Sequence, residues 1–350
     1  MSIYERVLQE LRHNRELRLQ GKFPSIPWVS MPKLSSVIPG IQKSRYIIVT
    51  ASSKVGKTKL TDHLFLYEPL RFVEKNPSSN IKLKIFYFTL EVSKEEKIRQ
   101  MLCNKLFRDS KLVYSPEQIL SYFEGKTLDE KLLKVFESSV YKDYFKFIEE
   151  NVYFVDKIRN PFGIYNLVRE FARRNGKFVN RAGIEVKEGE MYDQYIPNDP
   201  DLHVIVITDH LSILTTEQGK NLHQTMGEFS SDYCLKIRDN FKYTVVNVVQ
   251  QSAESEKQQF DFKGNSIINK LRPSADGLGD NKLIGRDCDL MISLFAPHRY
   301  KIDEYEGNNI EEMGDTYREL SILFNRHGSG AINLDLLFNG AVNHFEEIKR

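Results

Sequence analysis

The chain has 350 residues, 41% hydrophobic and 28% charged, with a formal net charge of +2. This is the composition of an ordinary water-soluble globular protein, one large α/β domain or two small ones. No apolar run approaches the ~18 residues that span a bilayer. The charged N-terminus excludes a secretory signal. The scattered Cys103, Cys234 and Cys288 suggest neither a zinc site nor a disulfide framework. A reducing cytoplasm is the expected location. The net charge is too weak to argue for nucleic-acid binding, so any such contact must come from local basic loops.

In chain order, Ile3, Tyr4, Val7, Leu8 and Leu11 recur at helical spacing within a charged segment. They predict an amphipathic helix that docks on its own domain or on a neighbouring subunit. The Pro-, Gly- and Ser-rich stretch from Gly21 to Gly40 reads as a linker entering a compact domain. The expected division is a helix and linker over 1–25 and one domain over 26–350.

From Tyr46 onward, β-type runs alternate with helical patterns. The runs are YIIV (46–49), IFYFTL (85–90), VYFV (152–155), HVIVIT (203–208), TVVNVV (244–249), DLMISLF (289–295), LSILF (320–324) and INLDLLF (332–338). Near-continuous apolar runs imply strands buried on both faces. Helices are predicted over 57–66, 93–107, 161–175 and 222–240, the last with Leu222, Met226, Phe229, Tyr233 and Ile237 on one face. The last two runs are joined by NRHGSGA, a hairpin signal. The fold class is therefore α/β, a mostly parallel twisted sheet with helices on both faces and a C-terminal β-hairpin. Residues 108–148 and 176–202 read as insertions.

The stretch VTASSKVGKTKLTD follows the first run. From Ala51 to Thr58 it matches the phosphate-binding P-loop, with Ala51 in place of the first glycine. The nucleotide-binding set is Ala51, Ser52, Ser53, Lys54, Val55, Gly56, Lys57, Thr58 and Lys59. Loop amides and the following helix N-terminus would cradle phosphate. Lys57 would reach the β and γ phosphates, and Thr58 would ligate Mg²⁺. Asp209 ends the run HVIVIT and is the second metal candidate, acting through water. Its bland alternative is a helix cap. Glu91 follows IFYFTL and would leave a parallel sheet at the P-loop edge, where it could polarise an attacking water. Its alternative is a first-turn glutamate near Ser93.

These segments, followed by VVNVVQQSAESE, GLGDNKLIGRDCDLMISL and ILFNRHGSG, resemble the RecA-type motor domain of DnaB-like replicative helicases, a core shared with phage primase-helicases. The likeness spans residues 26 to 346. It implies a RecA-like P-loop NTPase that uses ATP or another NTP with Mg²⁺. It implies a homo-oligomeric ring, most often a hexamer, moving 5′ to 3′ on single-stranded DNA at replication forks, with primase or a helicase loader as partners and no membrane. Glu91 becomes the implied general base and Asp209 the Walker B aspartate. Gln251, or the adjacent Gln250, becomes the γ-phosphate sensor. Arg326 becomes an arginine finger acting on the neighbouring subunit's ATP.

Some positions depart from the family's pattern. Phe324 stands where the family usually has a lysine, and Asn281, Lys282 and Gly285 replace a Ser-Gly and an acidic residue, while Asp287 and Asp289 are kept. The usual N-terminal domain and primase-type zinc cysteines are not seen, which suggests a phage or plasmid type acting in the host cytoplasm.

In such a ring, the loops after Asp209 and Gln251 face the channel. The DNA-binding set is Lys220, Lys257, Lys263, Lys270 and Arg272, with Phe260 and Phe262 available for stacking. Two alternatives share the Walker motifs. One is a filament-forming RecA/RadA-type recombination or loading ATPase. The other is a weakly hydrolysing nucleotide-binding scaffold. DNA-stimulated ATPase activity would exclude the scaffold, and fork unwinding would exclude the filament former.

Overall fold

The computed structural model describes residues 2–125, 127–187, 189–252, 254, 257, 267–328 and 332–349. The side chains of 269 and 279–283 also lie outside the description. Helix α1 (Ile3–Leu19) starts at Ser2, whose hydroxyl accepts the Glu5 amide while the Glu5 carboxylate accepts the Ser2 amide. This reciprocal cap satisfies two otherwise unpaired amides. The predicted apolar face is mostly uncovered, with only Leu8 of the five half-buried. Ile3, Tyr4, Val7 and Leu11 are exposed, and Leu17 is the residue that α1 buries.

The stretch from Gly21 to Gly40 sends several side chains into the core. Ile26, Trp28, Met31 and Leu34 are fully buried, and Trp28 Nε1 donates to the Leu64 carbonyl at 2.9 Å. Helix α2 (Pro32–Val37) opens on a proline, which loses no amide bond there. Gly40 has φ +78, and a Cβ on it would lie 2.1 Å from the Ile26 carbonyl oxygen. No other residue fits.

The strands are β1 (Tyr46–Ala51), β2 (Lys82–Thr89), β3 (Val152–Val155), β4 (Gly176–Val179), β5 (Gln194–Pro197), β6 (Leu202–Asp209), β7 (Thr244–Gln250), β8 (Leu290–Phe295), β9 (Glu304–Tyr305), β10 (Asn308–Asn309), β11 (Tyr317–Asn325), β12 (Asn333–Asn339) and β13 (His344–Glu347). Nine form one sheet, in the order β13-β12-β11-β8-β1-β7-β6-β2-β3. From β8 to β3 every pairing is parallel; β11, β12 and β13 add on antiparallel. Every predicted run forms a strand of this sheet. Strand β13 had no sequence signal, since HFEE is short and half charged.

Between the strands lie α3 (Lys57–Thr61), which continues through a π-helical turn over Asp62–Tyr67 into α4 (Glu68–Lys75), then α5 (Lys94–Ser110), α6 (Pro116–Ile119), α7 (Glu130–Phe136), α8 (Ser139–Asn151), α9 (Pro161–Arg174), α10 (Leu222–Glu228), α11 (Leu235–Phe241), α12 (Lys282–Asp287) and α13 (Ile310–Met313). The 108–148 insertion holds α6, α7 and most of α8. The 176–202 insertion carries the antiparallel pair β4 and β5.

Strand alternation explains the two-sided core. Ile47 and Val49 of β1 pack with Leu60, Leu64 and Phe65, while Tyr46 and Ile48 pack on the other face with Phe229, Ile237 and Phe241. A strand buried on both faces is apolar nearly throughout. Because the central strands are parallel, their C-terminal ends share one edge of the sheet, where the P-loop, Glu91, Asp209 and Gln251 lie.

Candidate nucleotide site

Strand β1 delivers the chain to the loop at Ala51, which is fully buried between Gln250 and Leu294. That position needs a small side chain, and alanine suffices. Gly56 has φ +111 and caps α3, so the turn into the helix requires glycine. Lys54 also takes a positive φ, 59. Lys57 and Thr58 open the helix, with Lys57 buried.

The loop is braced from the C-terminal part of the chain. Arg318, 1% exposed, donates from Nε to the Val55 carbonyl at 2.8 Å, and Arg299 donates to the Ser53 carbonyl. Burial holds the Arg318 guanidinium below its usual range, against the pull of Asp315. Lys59 departs from expectation. Its ammonium turns away to the Gly340 carbonyl at 2.6 Å and serves to tie α3 to the segment after β12.

Asp209 ends β6, 1% exposed. Its Oδ1 accepts the Thr58 hydroxyl at 2.9 Å. The two expected metal residues, one from the first turn of α3 and one from the end of β6, are thus in direct contact. Neither is a helix cap. Behind them lies a buried polar cluster. The Tyr87 hydroxyl sits 2.7 Å from Asp62 Oδ1 and 3.2 Å from Asp209 Oδ2, and Lys97 Nζ sits 3.0 Å from both Asp62 oxygens. Burial pushes the Asp62 carboxyl up, and Lys97 opposes that shift. No motif marks Asp62, Tyr87 or Lys97.

Glu91 lies just beyond β2 and is 53% exposed at its side chain. It is not in the first turn of α5. Ser93 caps that helix by accepting the Glu96 amide, and Glu95 and Glu96 occupy the turn. Glu91 is therefore left outside the helix, and its Oε2 lies 3.9 Å from His210 Nε2. Burial holds the His210 imidazole below its usual range; Lys57 adds to this, and Asp209 and Glu91 oppose it. The His210 Nδ1 is buried without a hydrogen-bond partner.

Gln251 follows β7 and is 2% exposed. Its Nε2 donates to Thr50 Oγ1 at 3.0 Å and to the Ser274 carbonyl at 3.1 Å. Gln250 is the last residue of β7 and pairs with Ala51.

Arg326 is at the other end of the sheet. Strand β11 runs against β8, so its C-terminus lies beside the start of β1. There Arg326 Nε sits 3.3 Å from Asp289 Oδ1, and Asp289 Oδ2 accepts the Tyr46 amide at 2.9 Å. The length of β1, ~17 Å at ~3.3 Å per residue, separates this point from the P-loop. Phe324 packs its ring 5.6 Å from the Arg326 guanidinium.

No family model matches the chain, and no curated protein is similar to it. Solved structures are similar. One, described as the ATPase domain of G40P, superposes with a TM-score of 0.66 at 17% identity, covering 99% of both chains. Another, described as a DnaB-like replicative helicase and its interactions with primase, superposes with a TM-score of 0.67 at 18% identity over 100% of this chain and 67% of that one. The fold is that of a DnaB-like helicase ATPase domain. Identity this low establishes the fold alone.

On this DnaB-like fold the expected DNA-binding residues divide. Lys257 is exposed and paired with Glu254 at 2.8 Å, and Lys270 is exposed. Lys220 is held between Glu217 at 2.9 Å and Glu228 at 2.6 Å. Arg272 is turned into the protein. It pairs with Glu319, 1% exposed, at 2.5 Å and lies over the Tyr305 ring. That argues against its place in the DNA-binding set. Lys263, Phe260 and Phe262 lie outside the described residues. No described helix is long and apolar enough to cross a membrane.

Proposed function

We propose that this chain is the ATP-driven motor of a ring-forming, DnaB-type replicative DNA helicase, hexameric, moving along single-stranded DNA and separating duplex at forks. The observation that carries this reading is the division of the site. Lys57, Thr58, Asp209, Glu91 and Gln251 gather at one edge of the sheet, and Arg326 lies at the opposite end. A chain arranged this way completes its own site only with Arg326 from a second copy. An arginine supplied in trans accelerates phosphoryl transfer by ~10³–10⁵.

Lys57 and the loop amides bind the ATP phosphates. Thr58 and Asp209 fit a magnesium ion, since a hydroxyl and a carboxylate already meet at 2.9 Å beside the loop. When bound there, the ion neutralises charge on the phosphates. Glu91, accessible and outside its helix, orients and deprotonates the attacking water. Gln251 stands between Thr50 and Ser274 and links the nucleotide edge to the loop that would contact DNA. Lys257 and Lys270 would track phosphate on that loop. A primase or a loader would be the working partner.

The test is strand displacement on a forked duplex with ATP and Mg²⁺. Wild type should unwind; Lys57→Ala and Arg326→Ala should not. Mixing the two inactive variants should restore ATPase activity at mixed interfaces. ATPase activity on single strands without unwinding would replace the helicase with a filament-forming ATPase.

A further inference from the structure

We propose that Asp62 and Lys97 are positioning residues that set how strongly Asp209 offers its charge to a divalent cation. The inference rests on reading Thr58 and Asp209 as the cation site. Lys97, on α5, and Asp62, in the π-helical turn, are both 0% exposed. Lys97 Nζ lies 3.0 Å from both Asp62 oxygens, 2.9 Å from the Tyr87 hydroxyl and 3.7 Å from Asp209 Oδ2. One ammonium thus serves two buried carboxylates, unequally.

Asp62 is fully engaged. Its Oδ1 faces Lys97 and Tyr87, and its Oδ2 faces Lys97 and the Asn343 amide at 3.2 Å. Tyr87 has one proton, and the nearer acceptor is Asp62. Asp209 therefore keeps most of its negative charge, with Oδ1 turned toward Thr58. Asp62 draws Lys97 off Asp209. Without Asp62, the ammonium would close the short distance to Asp209 and compete with the cation, because an unpaired buried charge is expensive.

The geometry gives a rescue pattern that a merely structural role would not. Affinity for a fluorescent ATP analogue is measured on the full chain with Mg²⁺ and again with EDTA. The ratio reports cation binding without catalysis. Asp62→Asn, nearly isosteric, should cut the Mg²⁺-dependent gain by about tenfold or more. Asp62→Asn with Lys97→Met removes both charges and should return the gain to within about threefold of wild type. Tyr87→Phe frees Lys97 from one partner on the Asp62 side and should cut the gain severalfold; it tests the idea even if the Asp62 variants do not fold. An unchanged gain in Asp62→Asn, or no recovery in the double variant, overturns the proposal alone. A wild type that binds the analogue equally with and without Mg²⁺ overturns the cation-site reading beneath it as well.

Discussion

At the scale of single residues, close approach decides more than charge. Gly277 faces Gln251 so tightly that a Cβ would lie 1.9 Å from the glutamine Oε1. Gly277→Ala should expel Gln251 from between Thr50 and Ser274, costing ~1–3 kcal/mol of stability. It should also uncouple ATP hydrolysis from single-stranded DNA, seen as lost stimulation with the unstimulated rate kept. Arg318→Met should leave the Val55 carbonyl unpaired and loosen the P-loop. We expect a loss of ~1–3 kcal/mol in urea unfolding and weaker nucleotide binding. Asp209 and Glu91 were legible because each ends an apolar run, and a carboxylate at a strand end is conspicuous. Lys97 and Asp62 were not. In KEEKIRQ a buried lysine looks like its solvated neighbours, and only the packing of α5 against the turn after α3 reveals it.

At the scale of elements, periodicity was a good guide where a face is repeated and a poor one where burial is irregular. Strands β1, β2, β6, β7 and β8 show themselves because both faces are covered. The Gly21–Gly40 stretch has linker composition, yet its Trp28 and Met31 fill the core through contacts with no period. Helix α1 is the reverse case, since its stripe is regular and yet stays largely exposed. Truncation after Leu11 should therefore change the melting temperature of the remaining chain by no more than ~2 °C. Sedimentation should show a smaller assembly, if the exposed stripe serves a neighbouring copy.

At the scale of the whole molecule, buried histidines weaken the fold in acid. Burial holds His63 down to about 3 and His203 well below its usual range, and it lowers His344 as well. The unfolded chain binds these protons near pH 6.5 and the native chain refuses them. Stability is thus fully present above the unfolded value and is lost as pH falls toward the native one. His63 alone should cost about 2 kcal/mol at pH 5. Urea midpoints at pH 7.5 and 5 should differ accordingly, and His63→Gln should narrow the gap.

On the reading proposed for Arg326, the opposed placement of the P-loop and this arginine would give each copy a giving end and a receiving end. A two-fold axis makes contacts in reciprocal pairs and closes at two copies, so the proposed ring requires a head-to-tail contact instead. In that head-to-tail contact an open chain of copies would always carry one orphan pocket, and closure into a circle would remove it. A copy with Arg326→Ala would silence the pocket of its neighbour and leave its own intact. One lesion would then cost the circle one pocket, next door to the damage.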